Sequence, residues 1–221
     1  MSNHETTKVL RWTGILGITA TAVFLAKTFI PMPSFPHLLL CMAFGPLVIA
    51  GSPGMARFLT LRGPSMLADA AARFAVIAGA FHLSMVCVQS TTLIIMRQRI
   101  AEAEPSARAA IRQILDGTFT VQLGLCFCWD LLIGVSTLLF CSILWRRGPL
   151  AAMLAISGAL VAIIFLAMKL STYPIPPAEA GLFDLGPGLG AWYLLFSIYI
   201  LCNAKQPSKA LAELAPDRSP A

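Results

Sequence analysis

Apolar positions follow one another along residues 12–30, 37–52, 74–96, 119–145, 149–169 and 185–203 with few polar interruptions. A membrane-crossing helix needs about 20 such residues, so the pattern predicts an all-α, polytopic bundle of six transmembrane helices in a single domain. The second run is short and carries Gly45-Pro46 at its centre. A proline there frees a backbone carbonyl and kinks a helix, which a membrane protein tolerates when neighbours satisfy the group. Residues 54–72 read as a segment lying along the cytoplasmic interface. Residues 101–117, AEAEPSARAAIRQILDG, read as a short amphipathic surface helix, with Pro105 and Ser106 at its start and Gly117 as a stop. The segment 204–221 is expected to be a disordered cytoplasmic tail. No internal repeat supports an inverted-repeat transporter fold.

Composition agrees with the runs. Hydrophobic residues make up 57% of the 221 and charged residues 12%, about half the charge of a soluble domain, and mean hydropathy is +0.79. The net charge of +6 does not point to nucleic acid. Basic residues sit mainly at the ends of apolar runs, where headgroups favour them, and no Lys/Arg block is interleaved with aromatics. Lys8 and Arg11 precede the first run as in a signal peptide. That run is too long, carries Lys27 and lacks a small-x-small cleavage site, so it reads as a retained span.

Counting Lys and Arg by loop gives ten on the side of both termini and six on the other. The asymmetry predicts that both termini lie in the cytoplasm. The expected partners are the lipid bilayer, a small-molecule ligand, and a membrane-protein partner or second copy; no cofactor or metal is expected. Cys126 and Cys128 form C-x-C, but on a helix they point roughly 200° apart and cannot share an ion. All six cysteines lie in or beside apolar runs, which argues against a secreted disulfide framework.

The chemistry concentrates in CFCWDLLIG, where Asp130 interrupts the fourth run. At helical spacing Gln122, Cys126, Asp130, Gly134, Thr137 and Cys141 form one small and polar stripe, which should face the bundle rather than lipid. Centring the run near residue 132 puts Asp130 within about 5 Å of the midplane. His82 and Gln89, on one face of the third run, are the expected partners, and Lys27 is expected to snorkel outward. Asp130, His82, Gln89, Gln122 and Trp129 thus form the candidate binding site. One reading is a proton or cation relay or a ligand anchor. The other is a hydrogen bond that only fixes helix register. In the last outer loop, Tyr173 and Phe183 are candidate lining residues. Asp184 is placed to cap the sixth helix near Gly186.

Other chemistries lack their parts. Ser157 lacks the full Gly-x-Ser-Gly setting of an intramembrane serine protease, a second deep aspartate is absent, and His4, His37 and His82 are too scattered for haem. Three functions stay open: a small-molecule or proton binding or transport protein, an accessory structural subunit, and a membrane-embedded enzyme. The motifs Gln122–Gly124, Trp129-Asp130, Pro174–Pro177, Asp184–Pro187 and Trp192-Tyr193 resemble those of uncharacterised bacterial six-helix integral membrane proteins. That resemblance implies an inner-membrane location and carries over no catalytic residue.

Overall fold

A computed structural model describes residues 3–61 and 63–204. It is all-α, with six helices: α1 Asn3–Phe29, α2 Ser34–Leu59, α3 Met66–Glu102, α4 Pro105–Leu144, α5 Pro149–Thr172 and α6 Gly186–Asn203. The first five are long and apolar enough to cross a membrane. The outward faces are apolar too: Met153, Leu160, Ile163 and Ile164 of α5 are all exposed, as a lipid-solvated surface allows. Apart from Ala204, the expected disordered tail lies outside the described residues.

Each helix packs on its neighbours in sequence, and α6 returns against α1, so the six close into a ring. Helix α2 also reaches across to α4 and α6. Small residues permit the close approaches: Gly54 faces Thr13 of α1, Gly45 meets Gly79 between α2 and α3, and Gly158 lies under the Trp192 indole. The end that holds the termini is packed with Leu10, Leu59, Phe140, Leu144, Phe196 and Ile200. Side chains tie backbones together there. Ser136 Oγ donates to Ala71 O at 2.8 Å and Trp192 Nε1 to Leu154 O at 2.8 Å. Arg147 donates to the carbonyls of Phe58 and Leu59, covering acceptors that the end of α2 leaves without a helical partner.

Two expectations about helix ends are corrected. The interfacial segment 54–72 does not exist as such. Helix α2 runs through Pro53 to Leu59, and α3 begins at Met66, capped by Ser65 Oγ accepting from Ala68 N at 3.3 Å. Burial of Met55, Ala56, Phe58 and Leu59 holds this last stretch of α2 in the bundle despite the proline. Nor is there a separate surface helix after the third span. Helices α3 and α4, 37 and 40 residues long, meet in a tight turn at Ala103-Glu104. At 1.5 Å per residue they extend about 55 and 60 Å, far beyond a hydrocarbon core about 30 Å thick. Their paired ends form an arm projecting from the distal end, the end away from the termini. Pro105 does open α4, but Gly117 does not stop it.

Glycines in the ring and in the arm should behave oppositely. A Cβ at Gly79 would press on the Gly45 carbonyl and Ile49, whereas one at Gly117 meets nothing within 4 Å. Gly79→Ala is expected to destabilise by about 1–3 kcal/mol through overpacking. Gly117→Ala should be neutral or stabilise by up to about 1 kcal/mol through helix propensity. Unfolding of the two variants in mixed micelles checks the contrast.

Candidate functional site

Asp130 lies on the inner face of α4, 6% exposed. Its partner is Lys169 of α5, with Nζ 2.8 Å from Oδ2. Cys126, one turn earlier on α4, donates its thiol to the same oxygen at 3.8 Å. Lys169 Nζ also stands 5.4 Å from the centre of the Phe165 ring. Oδ1 takes no hydrogen bond from the described residues. The pair sits toward the distal end of α5. Asp130 faces a residue three short of the end of α5, and Gly134 faces Leu166 in the same antiparallel register.

The expected bond from Asp130 to His82 or Gln89 is therefore corrected. His82 is 2% exposed and bonds instead to Lys27, Nζ to Nε2, at 3.1 Å. Lys27 does not snorkel away: its ammonium lies 5.4 and 5.3 Å from the ring centres of Phe24 and Phe44. Trp129 joins this cluster edge-on, 5.2 Å from His82 and 5.5 Å from Phe44. Gln89 and Gln122 are half-buried and bond to neither Asp130 nor His82. Two lysines that the loop count assigned to the outer rim are thus turned into the bundle. A sequence signal existed for Lys169. A helical side chain leans toward its own N-terminus, which carries a lysine near the end of α5 back inward.

Inside the ring lies a cavity of about 80 Å³, lined largely by apolar groups from α1, α2, α4, α5 and α6. Phe24, Phe44, Val48, Trp129 and Tyr193 contribute walls, and Asp130 is its one charged lining residue. The hydroxyls of Thr21 and Ser52, also at the wall, donate to their own helices at Gly17 O (3.0 Å) and Val48 O (2.6 Å). This keeps the chamber apolar in character despite its polar residues. A second, smaller pocket of about 40 Å³ lies on the distal side, bounded by Cys126, Asp130, Lys169 and the Tyr173–Pro177 loop. Asp130 belongs to both walls.

Of the outer-loop residues, Tyr173 lines the small pocket and packs on Phe127 with ring centres 4.6 Å apart. Phe183 is 65% exposed and lines neither space. Asp184 Oδ1 accepts from Gly186 N at 2.9 Å, the contact read from the sequence, but the N-cap of α6 is Leu185, so Asp184 stands one residue before the cap.

Removing one member of a buried pair strands the other charge. Asp130→Ala should therefore destabilise the protein by about 3 kcal/mol. Asp130→Ala combined with Lys169→Met should recover much of that loss, because no unpaired ammonium remains. A double-mutant unfolding cycle in detergent measures the coupling; additive losses would mean that the pair contributes nothing.

No family model matches the chain, and neither a curated protein nor a solved structure matches it. The chain is a six-helix, largely membrane-spanning protein carrying a buried Asp130–Lys169 pair.

Proposed function

We propose that the protein binds a small, largely apolar molecule inside the helix ring, and that the Asp130–Lys169 pair gates this chamber from the distal surface. The observation that carries the reading is the double position of Asp130, on the wall of the central cavity and on that of the pocket beneath the loop. A few polar groups on an apolar wall are how small-molecule sites orient a ligand, and this wall has that character. A salt bridge is a suitable partition. It is neutral as a pair, so its desolvation is partly offset while closed, and a passing polar group can exchange with either member.

A purely structural role describes Ser136, Trp192 and Arg147 better, since each binds backbone carbonyls in the packed end of the ring. An enzyme of serine type gains no support, because Ser157 donates to Leu154 O of its own helix at 3.0 Å. The setting we propose is a bacterial inner membrane with both termini in the cytoplasm, following the basic asymmetry of the loops. The arm and the Tyr173–Pro177 loop then face outward.

Gating is tested by thiol accessibility in a cysteine-free background. Gly51 lines the cavity, and a Cβ there meets nothing nearer than 3.8 Å, so Gly51→Cys is a mild reporter. Replacing Asp130 and Lys169 together by alanine should speed its reaction with a small water-soluble methanethiosulfonate several-fold. The rate at Ser106→Cys on the arm should not change. An unaltered rate at Gly51→Cys would remove the gate.

Orientation has its own check. Ser106→Cys and Ala178→Cys should react with an impermeant maleimide in intact cells. Protection of both, with labelling at Ser65→Cys, would invert the topology.

A further inference from the structure

We infer that the ligand carries an anionic head, a carboxylate or phosphate, and that Lys27 is the group that receives it. The inference rests on the chamber reading above and names the ligand class.

The first step is a count of charges. Within the six spans the described residues include two ammonium groups turned inward, Lys27 and Lys169, and one buried carboxylate, Asp130. Asp130 is committed to Lys169 at 2.8 Å, which leaves Lys27 with no carboxylate. A lysine this close to the end of α1, two residues before Phe29, has the reach to place its ammonium among headgroups. Instead it turns inward onto a histidine that is 2% exposed. There two aromatic faces and one imidazole nitrogen surround it, with no counter-ion among the described residues.

The second step is the direction of the unused hydrogen-bonding capacity. With Lys27 donating to Nε2, the ring proton of His82 resides on Nδ1, and Nδ1 is buried without a partner among the described residues. Lys27 retains further N–H groups. Beside this cluster the unsatisfied groups are therefore donors, and donors on an ammonium call for an anionic acceptor.

The third step is placement. Phe24 and Phe44, the rings beneath the Lys27 ammonium, and Trp129, which touches His82, all line the apolar cavity. An amphiphile with its tail in the cavity and its head on Lys27 satisfies both environments. It also brings the inward charges of the distal half to balance: two ammoniums, Asp130 and the ligand anion.

The test uses 5-bromopentanoate and 5-bromopentanol as probes, with the protein in phosphatidylcholine nanodiscs. Bromine quenches nearby indoles, so the signal is the saturable quenching that Trp129→Phe abolishes. Binding of the carboxylate probe should weaken about tenfold in Lys27→Met, the loss of one charge-assisted contact. It should be largely retained in Lys27→Arg, which also controls for folding, and the alcohol should bind both alike. If Lys27→Met leaves the carboxylate probe unaffected, the anionic-head inference fails while the chamber stands. If neither probe quenches Trp129 in the wild type, the chamber reading itself fails. Replacing the lipid by phosphatidylglycerol separates two sources of the same chemistry: competition assigns the head to a bilayer lipid, and unchanged binding assigns it to a free carboxylate amphiphile.

Discussion

The structure depends on α6 folding back against α1. Gly14 lies against Ser197 and Leu201, a side chain at Gly17 would collide with Ser197, and Gly190 meets the ring of Phe24. These contacts turn a chain of consecutive hairpins into a closed ring. Closure is what makes an interior. Without it, the inner faces of α1, α2, α4 and α5 would form an open groove, and Asp130 would meet lipid. In a membrane no hydrophobic force favours one apolar face over another, so closeness of approach decides which helices pair. Glycine supplies that closeness along the α1–α6 seam.

Within the ring the two ends differ in how their polar groups are satisfied. Toward the termini, hydroxyl, indole and guanidinium groups bond backbone carbonyls, and the core around Phe140 and Phe196 is filled. Toward the distal end, side chains bond side chains: Asp130 to Lys169 and Lys27 to His82. Both of those contacts are exchangeable, since neither partner is part of a helix backbone. They also border the cavity region, where less packing must be disrupted for a side chain to move. The dry half fixes the ring, and the distal half holds the groups able to respond to a ligand.

Much of this was legible in the sequence. Six apolar runs indicated six helices, the polar stripe correctly turned Asp130 inward, and the contact of Asp184 with Gly186 was readable. Boundaries were harder. Pro53 and Gly117 are helix breakers by propensity, yet packing carries α2 through the first and pairing with α3 carries α4 past the second. The partner of Asp130 was missed for a related reason. A lysine near a helix end looks like an interfacial anchor when only position is considered, whereas the direction of its side chain takes it inward. His82 was recognised as buried and polar, but its partner came from α1, a helix far from α3 in the chain and brought near it only by ring packing. Hydropathy reports depth along each helix; it does not report which neighbours the closed ring supplies.

The closure of α1 on α6 is open to one direct measurement. In a cysteine-free background, Gly14→Cys and Leu201→Cys stand within disulfide reach after a backbone shift of under about 1 Å. Mild oxidation in native membranes should link them within a single chain, detected as protection from reduction-sensitive separation after cleavage between α1 and α6. A control pair at Gly14→Cys and Leu160→Cys, with the second residue on the exposed face of α5, should not link. Efficient cross-linking of the first pair alone is the result the ring requires. Absence of that cross-link, with both thiols shown to be free and reactive, would mean that the helices do not close and that the chamber does not exist.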